Sequence, residues 1–396
     1  MFYSCLPASA SHTSPLRARA KGGRHSATVD IHCHVMMPEA AALTKDVFDP
    51  TREAMLTFSS AITKEVGRKQ EETIRTQLTS VEQRIKDMDR MGIDIQAVSP
   101  SPTYYYWAEP ELGRECARLI NNRIAEVVAS HPDRFVGLGT VPLQAPELAV
   151  AELERLVKEL GLRGVEIGTN IGGVELSDPR FRPFFAKVQE LDVMIFMHPA
   201  GFTDGQRLAE HYFINVIGNP LDTTVAISHM IFGGVLESYP KLKICLAHGG
   251  GYAAAYSGRY DHAHRARPDC RQVIKRPPSH YLKKLYFDTI VFTHHQLDYL
   301  TGLYGSDHII LGTDYPYDMA LPDAVRFVET AKLTRADKDA ILGGNAARLL
   351  KIKLPKPAAP AKRAQPKAKA KAKAQAKAQA KAQAKAQAKA KGGRKR

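Results

Sequence analysis

Four hydrophobic runs between residues 29 and 314 each close on a side chain able to hold a metal ion. They are Val-Asp-Ile-His-Cys-His at 29–34, Met-Ile-Phe-Met-His-Pro at 194–199, Lys-Ile-Cys-Leu-Ala-His at 243–248 and Ile-Ile-Leu-Gly-Thr-Asp at 309–314. A β-strand that ends in a ligand delivers that side chain to one rim of a sheet. Several parallel strands doing so converge their ligands on one point. The candidates are His32, His34, His198, His248 and Asp314. His32 and His34 stand two apart on one strand, so their side chains point the same way and grip one ion. Alone such a pair is weak evidence; its weight comes from three further strands that close in the same manner.

Those runs belong to a longer series. Strand-like stretches fall at 28–35, 93–100, 135–142, 163–168, 193–198, 243–248, 285–290 and 309–314. Most are rich in Val, Ile, Leu and Phe without strict alternation, as expected of strands buried on both faces. Helical spacing separates them, clearest from Arg114 to Ser130 and from Leu148 to Leu160. Eight alternations of strand and helix predict an α/β fold, a closed (β/α)8 TIM-like barrel rather than an open doubly wound sheet. The segment 36–92 is too long for a plain connection, and is expected to carry a loop insertion plus the first barrel helix. His229, mid-helix in an apolar run, reads as a buried core residue, and Cys33 and Cys245 read as small buried hydrophobes.

The formal charge of +15 belongs to the two ends. Residues 356–396 hold fifteen Lys or Arg and no acid, and residues 1–27 add four more, which leaves 28–355 mildly acidic. The chain therefore divides into an extension at 1–27, the barrel at 28–352 and a low-complexity tail at 353–396. An acid-free, Arg-bearing start fits an organelle transit peptide, and equally a disordered extension or a start codon set too early. In the tail, Lys373, Lys377, Lys381, Lys385 and Lys389 recur every four residues, stacking like charges with no apolar stripe to dock. Such a segment stays solvated and would touch nucleic acid only through its charge, losing that contact as salt rises. The five cysteines are odd in number, scattered and free of CxxC spacing, which argues for a reducing compartment, the cytoplasm. No apolar run approaches the roughly 18 residues that span a bilayer.

Several motifs together resemble the amidohydrolase superfamily, and within it the aminocarboxymuconate-semialdehyde decarboxylase group. They are the strand-1 His-Cys-His, His198-Pro199, the run Met230-Ile231-Phe232-Gly233-Gly234-Val235-Leu236, Ala247-His248-Gly249-Gly250-Gly251 and Gly312-Thr313-Asp314-Tyr315-Pro316. Arg134-Phe135-Val136-Gly137-Leu138-Gly139-Thr140 and Gln144-Ala145-Pro146-Glu147-Leu148 extend the match over 28–352. The resemblance implies one zinc, or another divalent ion, held by His32, His34, His198 and Asp314. His248 then becomes the acid/base beside it, with Asp314 serving both metal and catalysis. The strand-4 stretch Arg-Gly-Val-Glu-Ile-Gly offers no lysine to bridge a second metal. In the relatives one arginine between strand 1 and the first helix binds a substrate carboxylate, and another reaches into the neighbouring subunit's site. Arg75 and Arg259 match those two positions, which implies a homodimer with shared sites. A surface ion pair is the competing reading for each.

The substrate walls depart from the family. Where the decarboxylase has tryptophans, this chain reads His-Pro-Ala-Gly-Phe and later Tyr-Phe-Ile-Asn-Val, with Asn215 in place of an aromatic wall. Trp107, the sole tryptophan, follows strand 2, where it either lines the pocket or packs on a helix. The expected activity is a zinc-dependent, non-oxidative decarboxylation of a small unsaturated or aromatic carboxylic acid. A metal-dependent hydrolase of an amide or lactone would use the same ligands. A nucleic-acid-associated protein acting through its basic tail is the third reading, and the intact ligand set argues against it.

Overall fold

The computed structural model describes residues 27–354, so residues 1–26 and the tail beyond 354 lie outside the described residues. Eight strands form one parallel sheet: β1 (Val29–Val35), β2 (Ile95–Pro100), β3 (Phe135–Gly139), β4 (Gly164–Ile167), β5 (Met194–Met197), β6 (Lys243–Leu246), β7 (Tyr286–Asp288) and β8 (Ile309–Ile310), each paired with its predecessor. The sheet closes through the backbone that continues β8. Ile31 N donates to Leu311 O at 2.9 Å, Asp314 N to His32 O at 2.8 Å and His34 N to Tyr315 O at 2.8 Å. The expected barrel is therefore present, with every residue of β1 and β5 buried.

Helices cover the strands as the periodicity requires. Pro110–Ser130 starts on a proline and buries Cys116, Ala117, Ile120 and Ile124. Pro146–Lys158 buries Ala149, Leu153 and Leu156 against the same layer. The final helix, Asn345–Leu350, joins Val29, Ile31 and Ile310 in a separate hydrophobic cluster. Among the described residues, no helix is long and apolar enough to cross a membrane.

Three details differ from the sequence reading. The insertion at 36–92 is helical through most of its length, with helices at Pro38–Thr44, Ala61–Thr79 and Val81–Met91, the last two capped by Ser60 and Ser80. Second, a two-residue hairpin, Asn170–Ile171 with Val174–Glu175, follows β4; Gly172 and Gly173 make its turn at φ +58° and +83°. Strands that short carry no periodicity to read. Third, His229 is not a core residue. Its side chain is half exposed, with Nε2 3.7 Å from Glu175, because its helix buries Ala226, Ile227, Met230 and Ile231 on another face. Cys33 and Cys245 are fully buried, as expected.

Candidate metal centre

The carboxyl ends of β1, β5 and β8 bring four ligand-type side chains together. One donor atom from each of His32, His34, His198 and Asp314 lies within 4.8 Å of the others, and all four residues are buried. His32 Nε2 and His34 Nε2 are 3.2 Å apart, and each is 3.3 Å from Asp314 Oδ1. Ligand bonds of about 2.0–2.1 Å in a tetrahedron place donor atoms about 3.3 Å from one another, so three of the four already stand at coordination spacing. Both ring nitrogens of His198 are buried without a hydrogen-bond partner. Orphaned nitrogens are costly in a protein interior, and an ion in the centre of the four would satisfy one of them. Three imidazoles and a carboxylate suit a divalent transition metal.

Charge within the cluster is arranged around that centre. Burial opposes the His32 imidazolium, but Asp314 and Asp288 outweigh it and push the ring up to about 10, so an ion must displace the Nε2 proton to bind there. Burial also opposes the Asp314 carboxylate, and His32, His248 and His34 more than compensate, holding it well below the usual range. His198 goes the other way. Burial, and then the neighbouring histidines, keep it neutral, the form that ligates.

His248 sits beside the four rather than among them. Its Nε2 is 3.8 Å from Asp314 Oδ2, its ring centroid lies 4.9 Å from that of His198, and its side chain is 15 % exposed. Both His248 and Asp314 have left-handed backbone, at φ 55° and 57°. Non-glycine residues adopt that region at a cost, and such strain gathers where side-chain aim matters more than local comfort.

Asp288, at the end of β7, escaped the sequence reading. Its Oδ2 accepts from His32 Nδ1 at 2.6 Å and from His248 N at 3.0 Å. Its Oδ1 accepts from Gly249 N at 2.8 Å and Ile290 N at 3.0 Å. One carboxylate thus fixes the His32 tautomer, leaving Nε2 for the metal, and anchors the loop that carries His248. Asp30 and Glu166, both fully buried, were also missed. Asp30 accepts from His32 N and Thr313 Oγ1, while Glu166 accepts from the Tyr104 hydroxyl, which also reaches His198 O. Each is an acid inside a hydrophobic strand, the signal that would have found them.

The remaining sequence candidates are dispersed. Trp107 lines a cavity of about 620 Å³ at the same rim, with Tyr104, Asn170, Gly201 and Asp222, and its indole donates to Glu53 at 2.7 Å. Asn215 lies half-buried on the short helix Phe213–Val216, outside that cavity's lining. Arg75, on Ala61–Thr79, and Arg259, on Ser257–Ala266, are both exposed.

The solved structures similar to this fold include 5-carboxyvanillate decarboxylase from Sphingomonas paucimobilis. It shares 26 % identity at a TM-score of 0.74, over 84 % of this chain and 100 % of that one. Another is a dihydroxybenzoic acid decarboxylase from a Polaromonas species, solved with bound manganese and the inhibitor 2-nitroresorcinol. It has 26 % identity and a TM-score of 0.71, over 82 % of this chain and 97 % of that one. By sequence, a 2-amino-3-carboxymuconate-6-semialdehyde decarboxylase of Dictyostelium discoideum is 38 % identical over 270 residues, 67 % of this chain and 75 % of its own length. The family model described as amidohydrolase matches residues 29–352, from the first strand to just past the last helix, and this chain belongs to that family.

Proposed function

We propose that this chain is a divalent-metal-dependent, non-oxidative decarboxylase of a small unsaturated or aromatic carboxylic acid. The observation that carries the proposal is the buried cluster His32, His34, His198 and Asp314 with His248 at its open side, in a chain similar to several decarboxylases. An ion held by those four residues supplies positive charge that draws electron density out of the substrate. Zinc is our first choice for the ligand set, and the manganese of the Polaromonas relative makes that ion its rival.

This chain's residues do the rest. His248 is partly exposed and hangs on a loop tied to Asp288, so it can exchange protons with solvent and still be held in place. As the bond to the carboxyl carbon breaks and CO2 leaves, the electron pair stays on the substrate carbon and takes up the proton from His248. Asp314 Oδ2 lies 3.8 Å from His248 Nε2 and is proposed to orient the ring. Trp107 is proposed as a wall of the substrate space and Arg75 as a clamp for a substrate carboxylate; Asn215, outside the lining of the cavity that Trp107 borders, is not among those walls. Arg259, eleven residues beyond His248 and exposed, is proposed to enter the site of a second copy in a homodimer.

The Lys-rich segment beyond 355 is proposed to make only salt-sensitive contacts with nucleic acid. A cytoplasmic location draws support from the four cysteines among the described residues, all free. The test is a panel of unsaturated and phenolic acids, with matching amides and lactones, offered to metal-loaded protein while CO2 release and hydrolysis are both followed. CO2 release that disappears on chelation supports the proposal. Hydrolysis of an amide or lactone without CO2 release replaces it.

A further inference from the structure

Arg84 is the largest fully buried side chain in the described residues, 2 % exposed, on the helix Val81–Met91 between β1 and β2. A buried guanidinium normally finds a carboxylate, yet Arg84 makes no ion pair among the described residues. Its nitrogens are spent on neutral acceptors instead. Nη1 donates to Gln96 Oε1 at 3.1 Å, and Nη2 donates to Gln77 O at 3.2 Å and to His34 O. The guanidinium carbon lies 4.9 Å from the centre of the Tyr315 ring, a cation–π distance.

These partners are the backs of the metal ligands. His34 is itself a ligand, and Tyr315 follows Asp314. The Tyr315 hydroxyl donates to Asp87 Oδ2 at 2.6 Å, on the same helix as Arg84. Gln96 passes the link onward, because its Nε2 donates to Asp30 Oδ2 at 3.0 Å. Asp30 in turn accepts from His32 N at 3.1 Å and from Thr313 N at 3.0 Å. Three of the four ligands, His32, His34 and Asp314, therefore trace back to one guanidinium, whereas His198 is held separately through Tyr104.

We propose that Arg84 is a positioning residue for the metal centre, a clamp that sets the spacing of His32, His34 and Asp314 from behind. The inference rests on the metal reading given above. A planar fork with fixed donor directions can reach Gln96, His34 and Gln77 while stacking on Tyr315; a lysine ammonium cannot do all four. Groups that orient ligands from behind change metal affinity by roughly 10–100-fold when removed.

The test loads full-length wild type, Arg84→Lys, Gln96→Met and Asn121→Ala with Co2+. It records the visible spectrum, chelator-competed affinity and melting temperature of each. Asn121 is a fully buried anchor elsewhere, donating to Thr140 O and Glu152 Oε1, and serves as the purely structural control. Arg84→Lys is expected to bind Co2+ roughly 10–100-fold more weakly with an altered spectrum, and Gln96→Met to follow it more mildly. Asn121→Ala should melt earlier with unchanged affinity and spectrum. If Arg84→Lys does not fold, Gln96→Met decides. Folded variants with wild-type affinity and spectrum overturn the clamp, as does an Asn121→Ala that weakens Co2+ equally. Wild type that binds no Co2+ instead overturns the metal reading itself.

Discussion

Replacing Asp288 by Asn changes one oxygen of a buried side chain and tests how the centre is held. The native carboxylate accepts four hydrogen bonds, two on each oxygen. An amide accepts on only one oxygen and presents N–H groups on the other arm. With its oxygen toward His32 the tautomer survives, but the amide nitrogen then faces Gly249 N and Ile290 N, donor against donor. Leaving two buried donors unsatisfied costs about 2–6 kcal/mol. At roughly 2 °C per kcal/mol for a domain of this size, melting should fall by roughly 4–12 °C. Gly249 follows His248, so turnover should fall as well while much of the metal is kept. With its nitrogen toward His32 the tautomer inverts and metal is lost instead. The acid limb offers a second reading. Burial raises the Asp288 carboxyl, but the His32 hydrogen bond and charge outweigh it, so the folded pKa is lowered. Its contribution to stability is therefore present above the unfolded value of about 3.9 and is lost as pH falls through the folded one. Asp288→Asn should flatten that part of the pH–stability curve. Calorimetry, metal titration and turnover measure all three. An unchanged melting temperature with wild-type turnover refutes the reasoning.

Purified protein should carry about one divalent ion per chain by elemental analysis, and His32→Ala/His34→Ala should remove it; full retention in that double variant sinks the site. His248→Ala should keep its metal yet lose rate by roughly 10²–10⁴-fold, and loss of metal would instead make His248 a ligand. Arg259→Ala should fold, bind metal and turn over poorly, and subunit exchange with His248→Ala should restore activity in heterodimers. No complementation after verified exchange returns Arg259 to an ordinary surface role. A chain ending at Leu354 should keep full turnover while losing salt-sensitive retention on nucleic acid, and equal retention of both chains would show that the tail is inert.

The five candidate side chains could be read without coordinates because the chemistry is tied to local pattern. His32, His34, His198, His248 and Asp314 close hydrophobic runs, and strand geometry carries such residues to one rim; which four of the five would hold the ion came only from the family resemblance. The same run-by-run regularity made the barrel legible, down to helices that begin within a few residues of the periodic stretches. What the pattern did not contain is who stands behind each ligand. Asp288 lies 256 residues from the His32 ring that it orients. Arg84 occupies a helix whose sequence is mostly polar, and only its contacts with His34 in β1, Gln96 in β2 and Tyr315 beyond β8 take its charge out of water. His229 shows the converse, an apolar run turning one polar member outward. Barrel closure belongs to this class too, because β8 spans only two residues and the seal is made by backbone bonds from the irregular stretch after it. Candidate ligands are marked by side-chain type and strand period, both local, whereas tautomer, burial and charge compensation depend on distant residues that meet only once the chain has closed.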